Sequence, residues 1–234
     1  MRARLDTLGC TWDLLVVDDG SSDATAAVVE ELAARDPRIR LVRGGHRGKG
    51  AAVRTGMLEA RGDWRFMADA DLSMPPDNLD RFLTVIRQDR PPDVVIGSRE
   101  AAGARRVGEP WRRHAIGRVF NSMAQLVAVP GIRDTQCGYK LFSGESAAVL
   151  FRHQTLEGFA FDVELLLLAR RAGFRIAEIG IVWNCRTDSR VGFAKGIAAF
   201  GQLLRIRWNA WTGRYAALRP VKTRRANGLR NASC

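Results

Sequence analysis

The sequence predicts an α/β fold in which a mostly parallel sheet carries helices on both faces. Three observations lead to this prediction. Short apolar runs alternate with helix-like stretches through the first half of the chain. Each run ends in polar or glycine-rich residues that are typical of turns. The 234 residues are 46% hydrophobic, which is enough for the core of one domain.

The first half of the chain supplies the predicted strand and helix units. "WDLLVVDD" is the first strand, and "SDATAAVVEELAAR" is the helix after it, with a polar N-cap. "IRLVR" and "WRFMADAD" are the next strands, separated by a glycine-rich turn and a helix from about Gly50. "PPDNLDRFLTVIRQ" is a helix with proline in its first turn, and "PDVVIGSR" is a further strand.

The second half of the chain is predicted to be less regular. "WRRHAIGRVFNSMAQLVA" has the pattern of a helix. "DTQCGYKLFSGESAAVL" is predicted to be an irregular segment, a short strand and a helix. A helix opening near Asp162 ends at Gly173, and "RIAEIGIVWNC" is a strand. A long amphipathic pattern then runs from Phe193 to Trp211.

The charge of the chain favours an anionic partner. The net charge is +12 and the pI is about 10.8, which suits nucleic acid, anionic lipid or a phosphorylated substrate. The sequence has no helix-turn-helix, RNP or zinc-finger pattern, so a nucleic-acid binder is not expected. Its four cysteines form no CxxC pair. No apolar run reaches the length of about 20 residues that a spanning helix needs.

Charged side chains follow several of the predicted strands. Asp18 and Asp19, Asp69 and Asp71, and Arg99 all fall at carboxyl ends, where such sheets bind ligands. Asp69 and Asp71 are one residue apart, so in a strand they share a face and repel each other unless a cation lies between them. A divalent cation with oxygen ligands is the usual solution. A simple turn is the alternative, because aspartate favours turns.

Several segments resemble family 2 glycosyltransferases. They include "VVDDGSSDAT", "MADADLSMP", "IRDTQCGYKLF" and "FAFDVELLLLA", which follow each other in the family's order. The likeness covers roughly Trp12 to Trp211 and is nearest to the dolichyl-phosphate β-glucosyltransferase branch, beside the polyprenyl-phosphate mannosyltransferases. It implies a GT-A fold, a nucleotide-sugar donor, inversion at the anomeric carbon, and Mg²⁺ or Mn²⁺ as cofactor.

The resemblance also implies roles for individual residues. Asp71 and Asp162 would be catalytic, and Asp69 and Asp71 would hold the metal. Donor binding would fall to Asp18, Asp19, Lys49, Asp69, Arg99 and Arg113, and acceptor binding to Gln136 and Lys140. Three of these residues have simpler interpretations. Asp162 could be a helix N-cap, and Lys49 and Arg99 could be surface residues. The segment around Lys49 is not a P-loop, because Gly50 replaces its Ser or Thr.

The function that the resemblance implies is that of a metal-dependent hexosyltransferase. It would move a sugar, expected to be glucose from UDP-glucose, onto a dolichyl or other polyprenyl phosphate. Mannose transfer from GDP-mannose and a catalytically impaired sugar-nucleotide-binding protein are the alternatives. Family members open with a strand and a "P-x-Y-N-E"-like loop that this sequence lacks, so we expect a sheet without that first strand.

The pattern near the end of the chain indicates a membrane surface. Apolar residues at spacings of three and four form one stripe with basic residues interspersed: Phe193, Ile197, Phe200, Leu204, Trp208 and Trp211. Packing on the domain's own core is the alternative. We therefore expect a GT-A domain at residues 1–192, a membrane-associating helical segment at 193–219 and a disordered basic tail at 220–234. The protein is expected to be peripheral to the cytoplasmic face of the membrane.

Overall fold

A computed structural model describes residues 1–185 and 193–221, without the side chains of residues 112, 113 and 193–200. Its strands are β1 Leu14–Asp18, β2 Ile39–Arg43, β3 Trp64–Met67, β4 Val94–Ser98, β5 Arg105–Val107, β6 Lys140–Ser143, β7 Ile176–Gly180 and β8 Val182–Asn184. Its helices are α1 Arg2–Leu5, α2 Thr25–Arg35, α3 Lys49–Glu59, α4 Leu79–Ile86, α5 Trp111–Val127, α6 Gly144–His153, α7 Phe161–Arg171 and α8 Phe193–Trp211. The predicted tail lies outside the described residues, apart from its first two positions.

The strands form three sheets within the described residues. β1 and β2 pair in parallel. The central sheet has the order β3-β6-β4-β7, and β5 pairs in parallel with β8. No ladder within these residues joins β1 to the central sheet.

One strand of the central sheet runs against its neighbours. β6 is antiparallel to both β3 and β4, whereas β4 and β7 are parallel. The chain reaches β6 through the irregular segment after α5 instead of through a crossover helix, so nothing forces a parallel direction. The prediction of a mostly parallel sheet holds for the pairs β1–β2, β4–β7 and β5–β8 and not for β6.

Helices cover both faces of the central sheet, as predicted. Along β4, Val94 and Ile96 enter one core while Val95 enters the other, because successive side chains alternate across a strand. The first core is built largely from α5, α6, α7 and α8. The second contains Phe82 of α4 and Tyr139, whose rings are 6.4 Å apart and meet edge to face.

The last helix is part of this packing. Leu203 and Ile206 of α8 are completely buried in the first core, and Tyr215 and Leu218 follow them into it. Burying a Leu or Ile side chain contributes roughly 1.5–3 kcal/mol to the free energy of unfolding. Leu204 and Trp208 lie on another side of α8 and are 65% and 59% exposed. α8 therefore has a core face and a second apolar face that the domain does not bury.

Candidate active site

The loop after β1 is tied to the turn before α3. Asp18 is buried and accepts a hydrogen bond from the Ser21 N–H at 2.9 Å, which lowers the pKa of its carboxyl. Asp19 accepts hydrogen bonds from the main-chain N–H groups of Arg47 at 3.1 Å and Gly48 at 2.6 Å. Gly48 has a φ of 112°, which only glycine adopts readily. These contacts bring the loop with Asp18 and Asp19, two predicted donor-binding residues, to the start of α3.

An ion pair joins the first residue of α3 to the segment after β3. Lys49 Nζ is 2.7 Å from Asp69 Oδ1, and both side chains are about 30% exposed. A side chain at position 138 would collide with the Asp69 carboxylate, so Gly138 permits this arrangement. Burial opposes the charge of Lys49, but the carboxylates of Asp69, Asp162 and Asp71 outweigh burial and raise its pKa. Lys49 is therefore held as an ammonium beside the predicted metal ligand.

Asp71 occupies a turn. β3 ends at Met67, so the alternation of a strand does not reach Asp69 and Asp71, and the argument that they share a strand face is wrong. The Asp71 carboxylate accepts a hydrogen bond from the Ser73 N–H at 2.9 Å, and Leu72 between them has a φ of 49°. The turn interpretation is thus correct for the local geometry. Asp71 is exposed, so it stays accessible to a ligand.

The predicted residues Lys140 and Asp162 form a buried pair. Lys140 Nζ lies 2.5 Å from Asp162 Oδ1 and 2.5 Å from the Cys137 carbonyl oxygen. Both side chains are almost wholly buried. Burial raises the pKa of the Asp162 carboxyl, against the attraction of Lys140 and Lys49. The pair links β6 to α7, and Lys140 cannot contact an acceptor without breaking it.

The interpretation of Asp162 as an N-cap is wrong. The N-cap of α7 is Ala160, and Asp162 is the second residue of the helix, with its carboxylate on Lys140. A carboxylate in a first helical turn still interacts favourably with the helix dipole. The surrounding helix is buried along most of its length, which explains why this carboxylate needs a cationic partner.

Arg99 is engaged by a carboxylate that the sequence analysis missed. Its Nε and Nη2 atoms donate to the two oxygens of Asp134 at 2.7 and 2.9 Å, and its guanidinium lies 5.4 Å from the Trp183 ring centroid. Asp134 is completely buried. A bidentate pair of this kind fixes the arginine rather than leaving it open to a phosphate. The sequence carried one signal, an aspartate within the distinctive "IRDTQCGYKLF" segment.

The remaining predicted residues are less informative. Gln136 is half-buried, and its main-chain N–H donates to Asp134 at 3.3 Å. The side chain of Arg113, on α5, lies outside the described residues. Glu164 is a further carboxylate that the sequence analysis missed. It accepts hydrogen bonds from the N–H groups of Thr155 at 3.0 Å and Leu156 at 2.8 Å, and a charged residue inside an apolar helix was its signal.

The Arg99–Asp134 pair predicts a pH dependence of stability. Burial opposes the charge of Asp134, but Arg99 outweighs burial and lowers its pKa below the ordinary value of 3.8. The ionised pair therefore adds stability above pH 3.8 that is lost as the pH falls through the folded-state pKa. We expect Asp134→Asn to lower the free energy of unfolding at pH 7 by about 3–5 kcal/mol, because it leaves Arg99 without its partner.

Urea unfolding of wild type and Asp134→Asn across a pH series measures this effect. The difference in free energy of unfolding is expected to shrink as the pH falls below 3.8. Asp89→Asn, at an exposed position, controls for the chemical change. A difference of the same size at pH 3 and pH 7 would contradict the assignment.

Comparison with known proteins identifies the family. The profile described as Glycosyl transferase family 2 matches residues 4–151, more than half of the chain. The chain belongs to glycosyl transferase family 2. The resemblance stated from the motifs is confirmed, and the matched residues contain β1 to β6 with the loops that carry Asp19, Lys49 and Asp69.

Curated relatives match most of the chain. A dolichyl-phosphate beta-glucosyltransferase of Trichomonas vaginalis is 35% identical and aligns with 90% of this chain and 65% of its own length. The protein with that name from Dictyostelium discoideum is 33% identical over 87% of this chain and 64% of its own length, and that from Mus musculus is 36% identical over 93% and 69%. The chain thus spans about two thirds of the length of these relatives, and slightly less for the first two.

Solved structures share the fold. Mannosyl-3-phosphoglycerate synthase from Rubrobacter xylanophilus superposes with a TM-score of 0.60 at 18% identity, covering 93% of this chain and 67% of its own. Glucosyl-3-phosphoglycerate synthase from Mycobacterium tuberculosis in complex with Mn²⁺, UDP-glucose and phosphoglyceric acid gives a TM-score of 0.53 at 16% identity, covering 89% and 70%. At such identities the likeness concerns the fold alone, and it confirms the predicted GT-A fold.

Proposed function

We propose that this chain transfers glucose from UDP-glucose to a dolichyl or other polyprenyl phosphate, with inversion at the anomeric carbon. The observation that carries the proposal is the name of the relatives, dolichyl-phosphate beta-glucosyltransferase, at 33–36% identity over most of this chain. The cluster of Lys49, Asp69 and Asp71 at the strand ends supports it. This edge of an α/β sheet is where ligands bind.

Asp69 and Asp71 provide part of the ligand set that a divalent cation needs. Asp69 and Asp71 offer oxygen ligands, which Mg²⁺ and Mn²⁺ prefer, and Lys49 already occupies the cation position beside Asp69. Within residues 1–185 and 193–221 no three His, Cys, Asp or Glu side chains gather around one metal position. The donor diphosphate would therefore complete the ligand set. Bound there, the metal would supply Lewis-acid stabilisation of the charge on the leaving diphosphate.

Lys49 has a second function in this scheme. If Asp69 held a metal, the Lys49 ammonium would be available to the donor diphosphate beside it. The diphosphate would then replace Asp69 as the anionic partner that keeps Lys49 charged. A positive group next to the leaving group stabilises the charge that develops in the transition state.

The acceptor needs little activation. The second pKa of a phosphomonoester is about 6, so the attacking oxygen is already ionised near neutral pH. Asp162 is buried in an ion pair with Lys140. A carboxylate held in this way is better suited to positioning the site than to taking a proton from the acceptor. We therefore assign Asp162 and Lys140 to positioning, and Asp71 to the metal.

Transfer of radioactive label into lipid tests the proposed function. The protein is incubated with dolichyl phosphate, Mg²⁺ or Mn²⁺ and labelled UDP-glucose, and the organic phase is counted. Label in the organic phase that requires dolichyl phosphate is the expected result, and the product is expected to be β-linked by NMR coupling at the anomeric proton. An α-linked product would contradict inversion, and absence of lipid-linked label would contradict the proposal.

Two helices supply a surface for the membrane. The exposed face of α8 carries Leu204, Trp208 and Trp211, and the two indoles lie 5.4 Å apart. The part of the predicted stripe at positions 193, 197 and 200 has side chains outside the described residues. α5 packs on α8 and exposes a second apolar stripe, with Trp111, Ile116, Val119 and Leu126 between 56% and 86% exposed.

The chemistry of these helices favours an anionic bilayer over a protein partner. Neither α5 nor α8 contains an aspartate or glutamate, although both contain basic residues. Each basic residue near an anionic leaflet contributes roughly 1 kcal/mol, and the cytoplasmic leaflet is the anionic one. None of the described helices combines the length and apolarity required to cross a bilayer. We propose peripheral docking on the cytoplasmic face through α5 and α8.

Vesicle flotation tests the docking surface. Leu126→Glu combined with Trp208→Glu places a carboxylate on each helix, and we expect at least a tenfold loss of binding to anionic vesicles. The matched control is Val28→Glu with Leu32→Glu, since both residues are exposed on α2. Flotation of the α5–α8 variant at the wild-type level, or an equal loss in the α2 control, would count against the surface.

A further inference from the structure

A polar cavity lies between α8 and the loop that connects α6 to α7. Its volume is about 320 Å³. The residues that line it are Thr155, Leu156, Glu157, Gly158, Gln202 and Arg205. None of the predicted site residues is among them. The cavity is large enough for a phosphate group with its water, because a water molecule occupies about 30 Å³ of liquid.

The cavity adjoins both the loop that contacts α3 and the helix that carries the docking surface. One wall is the loop at Glu157, whose carbonyl accepts a hydrogen bond from the Gly50 N–H at 2.7 Å. Gly50 follows Lys49, which contacts Asp69. The opposite wall is α8, where Arg205 adjoins exposed Leu204. The cavity therefore connects residues next to Lys49 with residues of the docking surface.

Arg205 and two main-chain N–H groups of the lining residues have no acceptor among the residues that the structure describes. Arg205 makes no ion pair with the part of the chain that the structure describes, in contrast to Arg99, which is held by Asp134. The Glu157 carboxylate is turned to Arg47 in an ion pair. Within the described residues the main-chain N–H groups of Glu157 and Gly158 also donate to no acceptor. Free guanidinium and amide donors in one cavity are suited to an anion.

Hydrogen bonds hold the residues that line the cavity in place. Glu164 accepts hydrogen bonds from Thr155 and Leu156, and the Tyr215 hydroxyl donates to the same carboxylate at 2.7 Å. The Gln202 Oε1 accepts from the Ala160 N–H at 3.0 Å, which fastens α8 to the start of α7. Such contacts order the main-chain wall of the cavity before a ligand arrives.

We propose that this cavity binds the phosphate headgroup of the lipid acceptor, with Arg205 as its cationic ligand. The inference rests on the proposed function, because the acceptor is a lipid phosphate. It adds a site that holds the headgroup between the bilayer and Lys49. The chemistry required is a phosphomonoester carried on an isoprenoid chain, with the chain running along the apolar face of α8.

Binding of a short soluble acceptor tests the site without requiring turnover. Farnesyl phosphate is titrated into wild type, Arg205→Gln and Arg207→Gln, with no donor present, and binding is measured by calorimetry. Arg207 is the matched control, because it is exposed on α8 and residues two apart do not share a helix face. Arg205→Gln is expected to weaken farnesyl phosphate at least about tenfold and Arg207→Gln to leave it unchanged.

Three outcomes would overturn the proposal. They are wild-type affinity for farnesyl phosphate in Arg205→Gln, an equal loss in Arg207→Gln, and equal affinity of wild type for inorganic phosphate and farnesyl phosphate. The last would mean a site for free phosphate instead of a lipid headgroup. Because no step of the titration involves UDP-glucose, failure of glucosyl transfer and failure of this site give different results. In an active preparation, Arg205→Gln is expected to raise the KM for the acceptor about tenfold without changing that for UDP-glucose.

Discussion

Asp71→Asn is expected to lower kcat/KM for glucosyl transfer at least about a hundredfold while leaving the fold intact. The change removes the charge that Asp71 would offer a divalent cation. Asparagine retains an oxygen that can accept the Ser73 N–H hydrogen bond, so the turn is kept. Initial rates are measured with saturating Mg²⁺, and circular dichroism and thermal unfolding verify the fold.

Asp77→Asn is the control for this change. Asp77 belongs to the same segment after β3, and its side chain is 84% exposed and lies 3.6 Å from Arg4. Its substitution is expected to leave the rate within about twofold of wild type, since surface changes of this kind have small effects. A near wild-type rate in Asp71→Asn, or an equal loss in both variants, would mean that Asp71 is not a metal ligand.

Breaking the Lys140–Asp162 pair is expected to have a large effect on stability. Lys140→Met leaves the Asp162 carboxylate buried without its ammonium, and Asp162→Asn leaves Lys140 without its carboxylate. Each single change is expected to lower the free energy of unfolding by about 3–5 kcal/mol. Unfolding in urea at pH 7 measures the loss for each variant.

The double variant measures the interaction between Lys140 and Asp162. Lys140→Met with Asp162→Asn removes both charges, so its loss is expected to be smaller than the sum of the single losses by about 1–3 kcal/mol. Additive losses would mean that the two residues act independently. If Asp162 positions the site, the folded double variant is expected to lose rate with little change in its pH profile. Loss of one limb of the pH–rate profile would instead mean that Asp162 takes part in proton transfer.

The local sequence pattern was enough to predict the fold class but not the direction of β6. The alternation of apolar runs and helices predicts β1 to β4 with their helices because each unit is specified by nearby residues. The run "KLFS" predicts a strand at β6 but does not say which neighbours it pairs with. That pairing joins residues far apart in the chain, such as Phe66 and Leu141, and no local pattern encodes it.

The sequence predicted which residues form the candidate site but not which of them contact each other. Lys49, Asp69, Lys140 and Asp162 were all predicted as site residues, but no contact between them was predicted. The ion pairs that join them are long-range contacts. Asp134 was missed for the same reason, since nothing near it in sequence indicates its contact with Arg99.

The apolar stripe of α5 carried a sequence signal that was not used. Trp111, Val119 and Leu126 recur at helical spacing, as do the residues of α8. Such a stripe usually marks the core face of a helix, so the pattern alone favours burial. Here Phe120 and Ala124 form the core face instead, and exposure of the first set is visible only in the structure.

A dual-label competition tests the central claim most directly. The protein is incubated with dolichyl phosphate, a divalent cation, and equal concentrations of UDP-glucose and GDP-mannose that carry different isotopes, and both labels are counted in the organic phase. The glucose label is expected to enter the lipid, the mannose label to stay in the aqueous phase, and Asp71→Asn to abolish the transfer. Mannose label in the lipid, or neither label under conditions where the protein is folded, would contradict that claim.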